Sequence, residues 1–79
     1  MVRSGELNRK VLYYSPYSSE SLRLKFNSLL IEVKRKAKNI EVTKDIFYTT
    51  YIFTMGDGSK YEYLYDRDNA IPYCIEKIK

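Results

Sequence analysis

The chain has no histidine and no tryptophan, and its only cysteine is Cys74. Each absence excludes chemistry. Without histidine, a catalytic triad of the usual kind cannot be built. Zinc and copper sites lose their main ligands when histidine is missing and one thiol remains. A single cysteine cannot close a disulfide within the chain. A lone thiol fits a reducing compartment, so a cytoplasmic location is expected. Cys74 has acidic Glu76 and basic Lys77 near it in sequence, which fixes no direction for its reactivity, and it reads as an inert, part-buried thiol.

Glycine and proline are also scarce, at three and two residues. There is no glycine-rich phosphate loop or dinucleotide fingerprint, and Gly56 and Gly58 are explained by a hairpin turn. Around Asp57-Gly58-Ser59 the further oxygen ligands of a calcium loop are missing. Leu29-Leu30-Ile31, the longest aliphatic run, is far too short to span a bilayer, so no membrane association is expected. Residues Met1 to Glu6 lack the apolar stretch of a secretion leader. No catalytic, cofactor-binding or metal-ligating residue can be assigned, and no cofactor is implied. A non-enzymatic protein is expected.

What the chain does have is tyrosine. Nine of its 79 residues are tyrosine, and five of them crowd residues 46–66. A tyrosine ring is apolar but carries a polar tip that needs water or a partner. Charge is the second feature. The net charge is +4, with the excess of lysine and arginine in residues 1–40 and a slight excess of acids in residues 41–79. A basic half is a candidate anion-binding footprint, although small basic domains also use charge for solubility.

Length allows one domain over residues 1–79, with residues 1–9 as a polar arm. Lys10 to Tyr14 is short and rich in β-formers, which predicts a strand. Ser15-Pro16-Tyr17-Ser18-Ser19 breaks it. From about Ser19 to Lys38, Leu22, Phe26, Leu29, Leu30, Val33 and Ala37 recur every three or four residues, which predicts an amphipathic helix. Ser18 or Ser19 can cap it. With Ser18 as the cap, Tyr17 and Leu22 would form a hydrophobic staple. Glu20 suits the positive end of the helix dipole, and Lys34, Arg35, Lys36 and Lys38 the negative end. Asn39 reads as the stop. Leu24 and Ile31 fall on the opposite side from the apolar stripe, where a second chain or the N-terminal arm could cover them.

Residues 46–55 are almost all β-branched or aromatic, Gly56 to Ser59 is a turn signal, and Lys60 to Asp66 alternates. A three-residue loop from Gly56 to Gly58 would pair Met55 with Ser59, Phe53 with Tyr61, Tyr51 with Tyr63 and Thr49 with Tyr65. That register gathers Phe47, Tyr51, Phe53, Met55 and three tyrosines on one side, as a half-buried sheet requires, and sets Tyr48, Thr50, Ile52 and Thr54 against Lys60, Glu62, Leu64 and Asp66 on the other, a candidate binding surface. Ile71 to Ile78 fits either a short edge strand, which is preferred, or a helix. The expected fold is α+β: a two-layer sandwich with one amphipathic helix on a small, mostly antiparallel sheet, in the order β-α-β-β plus a C-terminal strand or helix. The expected core is Leu22, Phe26, Leu29, Leu30 and Val33 against Phe47, Tyr51 and Phe53.

The favoured function is a small binding module acting by protein-protein contact, as a subunit, adaptor or inhibitor of a larger assembly. Chains of this size are frequent in viruses and mobile elements, and an origin of that type fits size alone. Tyr13, Tyr14, Tyr17, Tyr48, Leu24 and Ile31 are the candidate stacking or interface residues. A homodimer, preferably through a sheet edge, would give so short a chain extra burial. The runner-up is nucleic-acid binding. In it Arg23, Lys34, Arg35, Lys36 and Lys38 would contact phosphates while exposed tyrosines stack on bases.

Overall fold

A computed structural model describes residues 11–15, 17 and 19–79. The expected arm, Lys10, Pro16 and the alternative Ser18 cap lie outside the described residues. The elements run β1 (Val11–Tyr13), α1 (Glu20–Lys36), β2 (Asn39–Lys44), β3 (Tyr48–Thr54), β4 (Lys60–Asp66) and β5 (Ile71–Lys77). They build one helix packed on a five-stranded sheet of order β1-β5-β4-β3-β2, with every pair antiparallel. The α+β architecture is the one expected from the sequence. The element order differs in detail, because the meander from β2 to β5 has one more strand.

The helix forms where the apolar stripe predicts. Ser19 caps it in extended conformation, its Oγ accepting from Leu22 N at 3.3 Å. Lys34, Arg35 and Lys36 occupy the last turn, where the dipole favours cations. The helix ends at Lys36, and Lys38 N donates to Thr54 O at 2.8 Å. The chain therefore passes from helix to sheet almost without a loop. Asn39 does not stop a helix into coil; it opens β2, a strand missing from the expected order. Ile40-Glu41-Val42-Thr43 carries the alternation of a strand, so close behind the helix that it reads as the helix's own tail.

The core lies between α1 and one face of the sheet. Phe26, Val33, Phe53, Tyr63 and Ile75 are buried, with Leu29, Leu30, Tyr51, Tyr61 and Tyr65 packed around them. Phe26 is the hub, its ring 5.6 Å from Tyr14 and 6.2 Å from Tyr63. Two expected core members are elsewhere. Leu22 is 54% exposed and Phe47 61% exposed. Leu22 lies in the first turn, and Phe47 belongs to the β2–β3 turn, where the strand pattern no longer fixes its side. The expected staple is likewise not seen, since Ser19 is the cap and Tyr17 is exposed.

The β3–β4 register is the expected one: Phe53 opposes Tyr61, Tyr51 opposes Tyr63 and Thr49 opposes Tyr65. Met55 N donates to Ser59 O at 2.8 Å. Gly58 takes a φ of 89°, which glycine adopts without strain. The C-terminal segment is a strand, as preferred, but not an edge. β5 lies between β4 and β1. Pro72 is tolerated there because it stands at the start of the strand, beside a register shift at Leu64/Tyr65 and beyond the reach of β1's paired residues.

Candidate functional site

Only one face of the sheet carries the helix. Side chains alternate across a strand, so the register assigns the other face. One row across it is Glu41, Ile52, Glu62, Glu76 and Val11, each opposite the next. The adjacent row is Thr43, Thr50, Leu64, Cys74 and Tyr13. Tyr48 and Asp66 follow as a further pair. This face is therefore acidic along one row, runs from two threonines through Leu64 and Cys74 to Tyr13 along the next, and carries Lys60, opposite Thr54, on the far side of the glutamate row.

The register shift in β5 shapes its centre. Cys74 pairs with Leu64 while Pro72 pairs with Tyr65, which leaves Tyr73 as the extra residue of a bulge. Tyr73 is thereby placed between Tyr13 and Tyr48, with ring centroids 5.9 Å and 5.6 Å away. Three tyrosines from three separate strands form one group, with Tyr13 and Tyr73 exposed and Tyr48 half-buried. Beside it the Cys74 thiol is pushed up to about 11 by burial, and then by the charges of Glu62 and Glu76. The Tyr48 phenol is also raised, first by burial and then by Tyr73, Asp66 and Asp45. Both shifts are led by burial, with the neighbouring acids adding to it.

The sequence-predicted residues divide among several places. Tyr13 and Tyr48 stand together in the tyrosine group. Tyr14 is spent on the core, its ring edge-on to Phe26. Tyr17 is exposed before the helix, and Leu24 and Ile31 are exposed on the outer side of α1. Arg23 is half-buried in α1. Lys34, Arg35 and Lys36 are exposed but consecutive, so they point about 100° apart around the helix. Lys36 Nζ pairs with Glu32 Oε2 at 2.9 Å. The Lys38 side chain lies near Gly56. The basic cluster and the tyrosine group thus belong to different layers of the molecule.

Sequence reasoning placed Tyr48, Ile52, Glu62 and Asp66 on this face, as the register confirms, but missed Tyr73, Glu41 and Glu76. Glu41 joins the row only through β2, and Glu76 only through the register of β5. Tyr73 needed the bulge, which no local signal announces. Among the described residues no group of three or more acidic or thiol ligands could hold a metal ion, and no helix is long and apolar enough to cross a membrane. No protein-family model matches the chain, and no curated protein or solved structure is significantly similar to it.

Proposed function

We propose that the protein is a small non-enzymatic module that binds another protein through the helix-free face of its sheet. The observation that carries this reading is the Tyr13–Tyr73–Tyr48 group standing beside the glutamate row. Tyrosine is enriched where contacts dominate binding energy. Ring faces attract cations, and neighbouring carboxylates add to that attraction. The partner's contacting segment is therefore lysine- or arginine-rich. The module would work in a reducing compartment such as the cytoplasm, which suits a single buried thiol.

The second reading is nucleic-acid binding through Lys34, Arg35 and Lys38, all of them exposed. It is the weaker one. The grouped tyrosines that would stack on bases lie among carboxylates that repel phosphate.

The two readings separate in one NMR titration of the whole protein, against a lysine/arginine-rich peptide and a single-stranded oligonucleotide. Shifts centred on Tyr13, Tyr48 and Tyr73 with the peptide, weakened about tenfold or more by Tyr73→Ala, fit the first. Oligonucleotide binding abolished by Lys34→Glu with Arg35→Glu, together with an unresponsive sheet face, would displace it in favour of the second.

A further inference from the structure

The sheet has two edges of unequal character. β1 is three residues long, whereas β2 has six residues, all exposed, in an unbroken ladder with β3. A long open edge offers unpaired N–H and C=O groups to another strand. β2 also carries two aliphatic side chains on the helix side, Ile40 at 47% and Val42 at 50% exposure. They oppose Phe53 and Tyr51, and they extend the core's sheet face beyond the residues that α1 buries.

The hydrogen-bond phase of this edge can be read. Asp45 N donates to Tyr48 O at 2.9 Å, which closes the β2–β3 ladder. In an antiparallel ladder the bonded pairs alternate. Thr43 and Glu41 therefore direct their backbone groups to β3, and Ile40, Val42 and Lys44 direct theirs outward.

From this the geometry points to a second copy of the chain as the occupant: two β2 strands pair antiparallel about a two-fold axis at Val42. Val42 then exchanges both backbone bonds with its own counterpart, and Ile40 does so with Lys44 of the other copy. All outward groups of these residues are satisfied at once. A register one residue away would set outward groups against inward ones. A shift of two residues would set Glu41 against its own counterpart or against Asp45 of the other copy, with like charges directly opposed. The Val42-centred register instead places Glu41 opposite Thr43. The lysine stem can lie along Ile40 of the other copy.

The pairing is closed. Each β2 edge is consumed by the two-fold, and among the described residues only the three-residue β1 edges remain, so the pairing closes as a dimer. Ile40 and Val42 of both copies form one apolar strip between the two helices. Both helix-free faces then point the same way and present two tyrosine groups on one continuous sheet. The inference uses the edge alone and holds whether or not that face binds a protein.

Sedimentation velocity of the whole protein at micromolar concentration tests it, beside Val42→Pro. The Val42 N–H points away from β3, so proline removes an outward donor and leaves the β2–β3 ladder bonds in place. The expected result is a wild-type dimer, with a dissociation constant raised about a hundredfold or more in a Val42→Pro variant of unchanged circular dichroism. A wild-type monomer overturns the pairing, as does a dimer that the proline leaves unaltered. If Val42→Pro unfolds, Val42→Cys in a Cys74→Ala background replaces it. Directly opposed strand residues lie within the Cα separation a disulfide needs. Rapid oxidative cross-linking at position 42, but not in an Ile46→Cys control, supports the register. Equal or absent cross-linking refutes it.

Discussion

Arg67, in the β4–β5 turn, donates from its guanidinium to the carbonyl oxygen of Asp45, in the β2–β3 turn. Its backbone N–H also donates to Phe47 O at 2.9 Å. Asp45 Oδ1 meanwhile accepts from Phe47 N and Tyr48 N at 2.8 and 2.7 Å. Two turns at the same end of the sheet are thus fastened to each other. Arg67→Ala keeps the backbone bond and loses the guanidinium. Because the contact is exposed, the expected cost is about 1 kcal/mol. Urea denaturation would read this, and faster amide exchange at Asp45 and Tyr48 would locate it.

Phe26 is the position where a core defect matters most. Phe26→Ala should cost about 3–5 kcal/mol, and Leu29→Ala, in the part-buried shell, about 2–3 kcal/mol. A domain of this length has only about 4–12 kcal/mol in all. Leu22→Ala, by contrast, should cost less than about 1 kcal/mol, since that side chain is already half in water. Equal losses at Phe26 and Leu22 in thermal melts would contradict the packing.

Ala70 has a φ of 59°, in the left-handed region that side chains disfavour. The turn is held by Asp66, whose carboxylate accepts from Asp68 N at 3.0 Å and Asn69 N at 3.1 Å. Ala70→Gly relieves the local strain, at the expense of a freer unfolded chain. The net expectation is stabilisation by about 0.5–1 kcal/mol. A lowered denaturation midpoint would show that the turn tolerates alanine without strain.

Alkaline pH should destabilise the fold, with a sign fixed by two acids. Burial, followed by Tyr51 and Tyr65, pushes the Tyr63 phenol from 10.0 up to about 12. Burial, followed by Glu62 and Glu76, pushes the Cys74 thiol from 9.0 up to about 11. The unfolded chain therefore releases these protons first. The stability they contribute is complete below about pH 9, and is lost as pH rises through 9–11 for Cys74 and 10–12 for Tyr63. Urea midpoints across this range should fall, and Tyr63→Phe should flatten the upper part of the decline. A flat profile in the native chain would refute the assignment.

The helix and the β3–β4 hairpin were legible because each has a strong period and clear punctuation. Phe26, Leu29, Leu30 and Val33 repeat as a helix must, and Gly56 to Ser59 fixes one register. β2 was not legible because Lys38 and Asn39 look like a helix end, and Ile40 and Val42 follow with no turn between. Its loss hid a whole edge. The tyrosine group depends on tertiary facts: Tyr13 meets β5 only through a pairing between the two ends of the described chain, and Tyr73 faces outward only because of a bulge. Periodicity has no access to either.

That last pairing has a kinetic consequence. β2 to β5 form a run of neighbouring hairpins, whose contacts close short loops and can form early. Among the described residues β1 has no local partner. It can dock only on β5, after the helix has crossed the sheet and the final hairpin exists. β1 should then be the last element to arrive and the first to leave. Leu12 and Tyr14 direct their backbone groups to β5, Tyr14 N donating to Tyr73 O at 2.9 Å, so amide protection at these two would report a partial opening well below the free energy of global unfolding. When β1 leaves, Tyr13 goes with it. The tyrosine group is thus the part of the surface that a small fluctuation can dismantle while the four-stranded remainder stays folded.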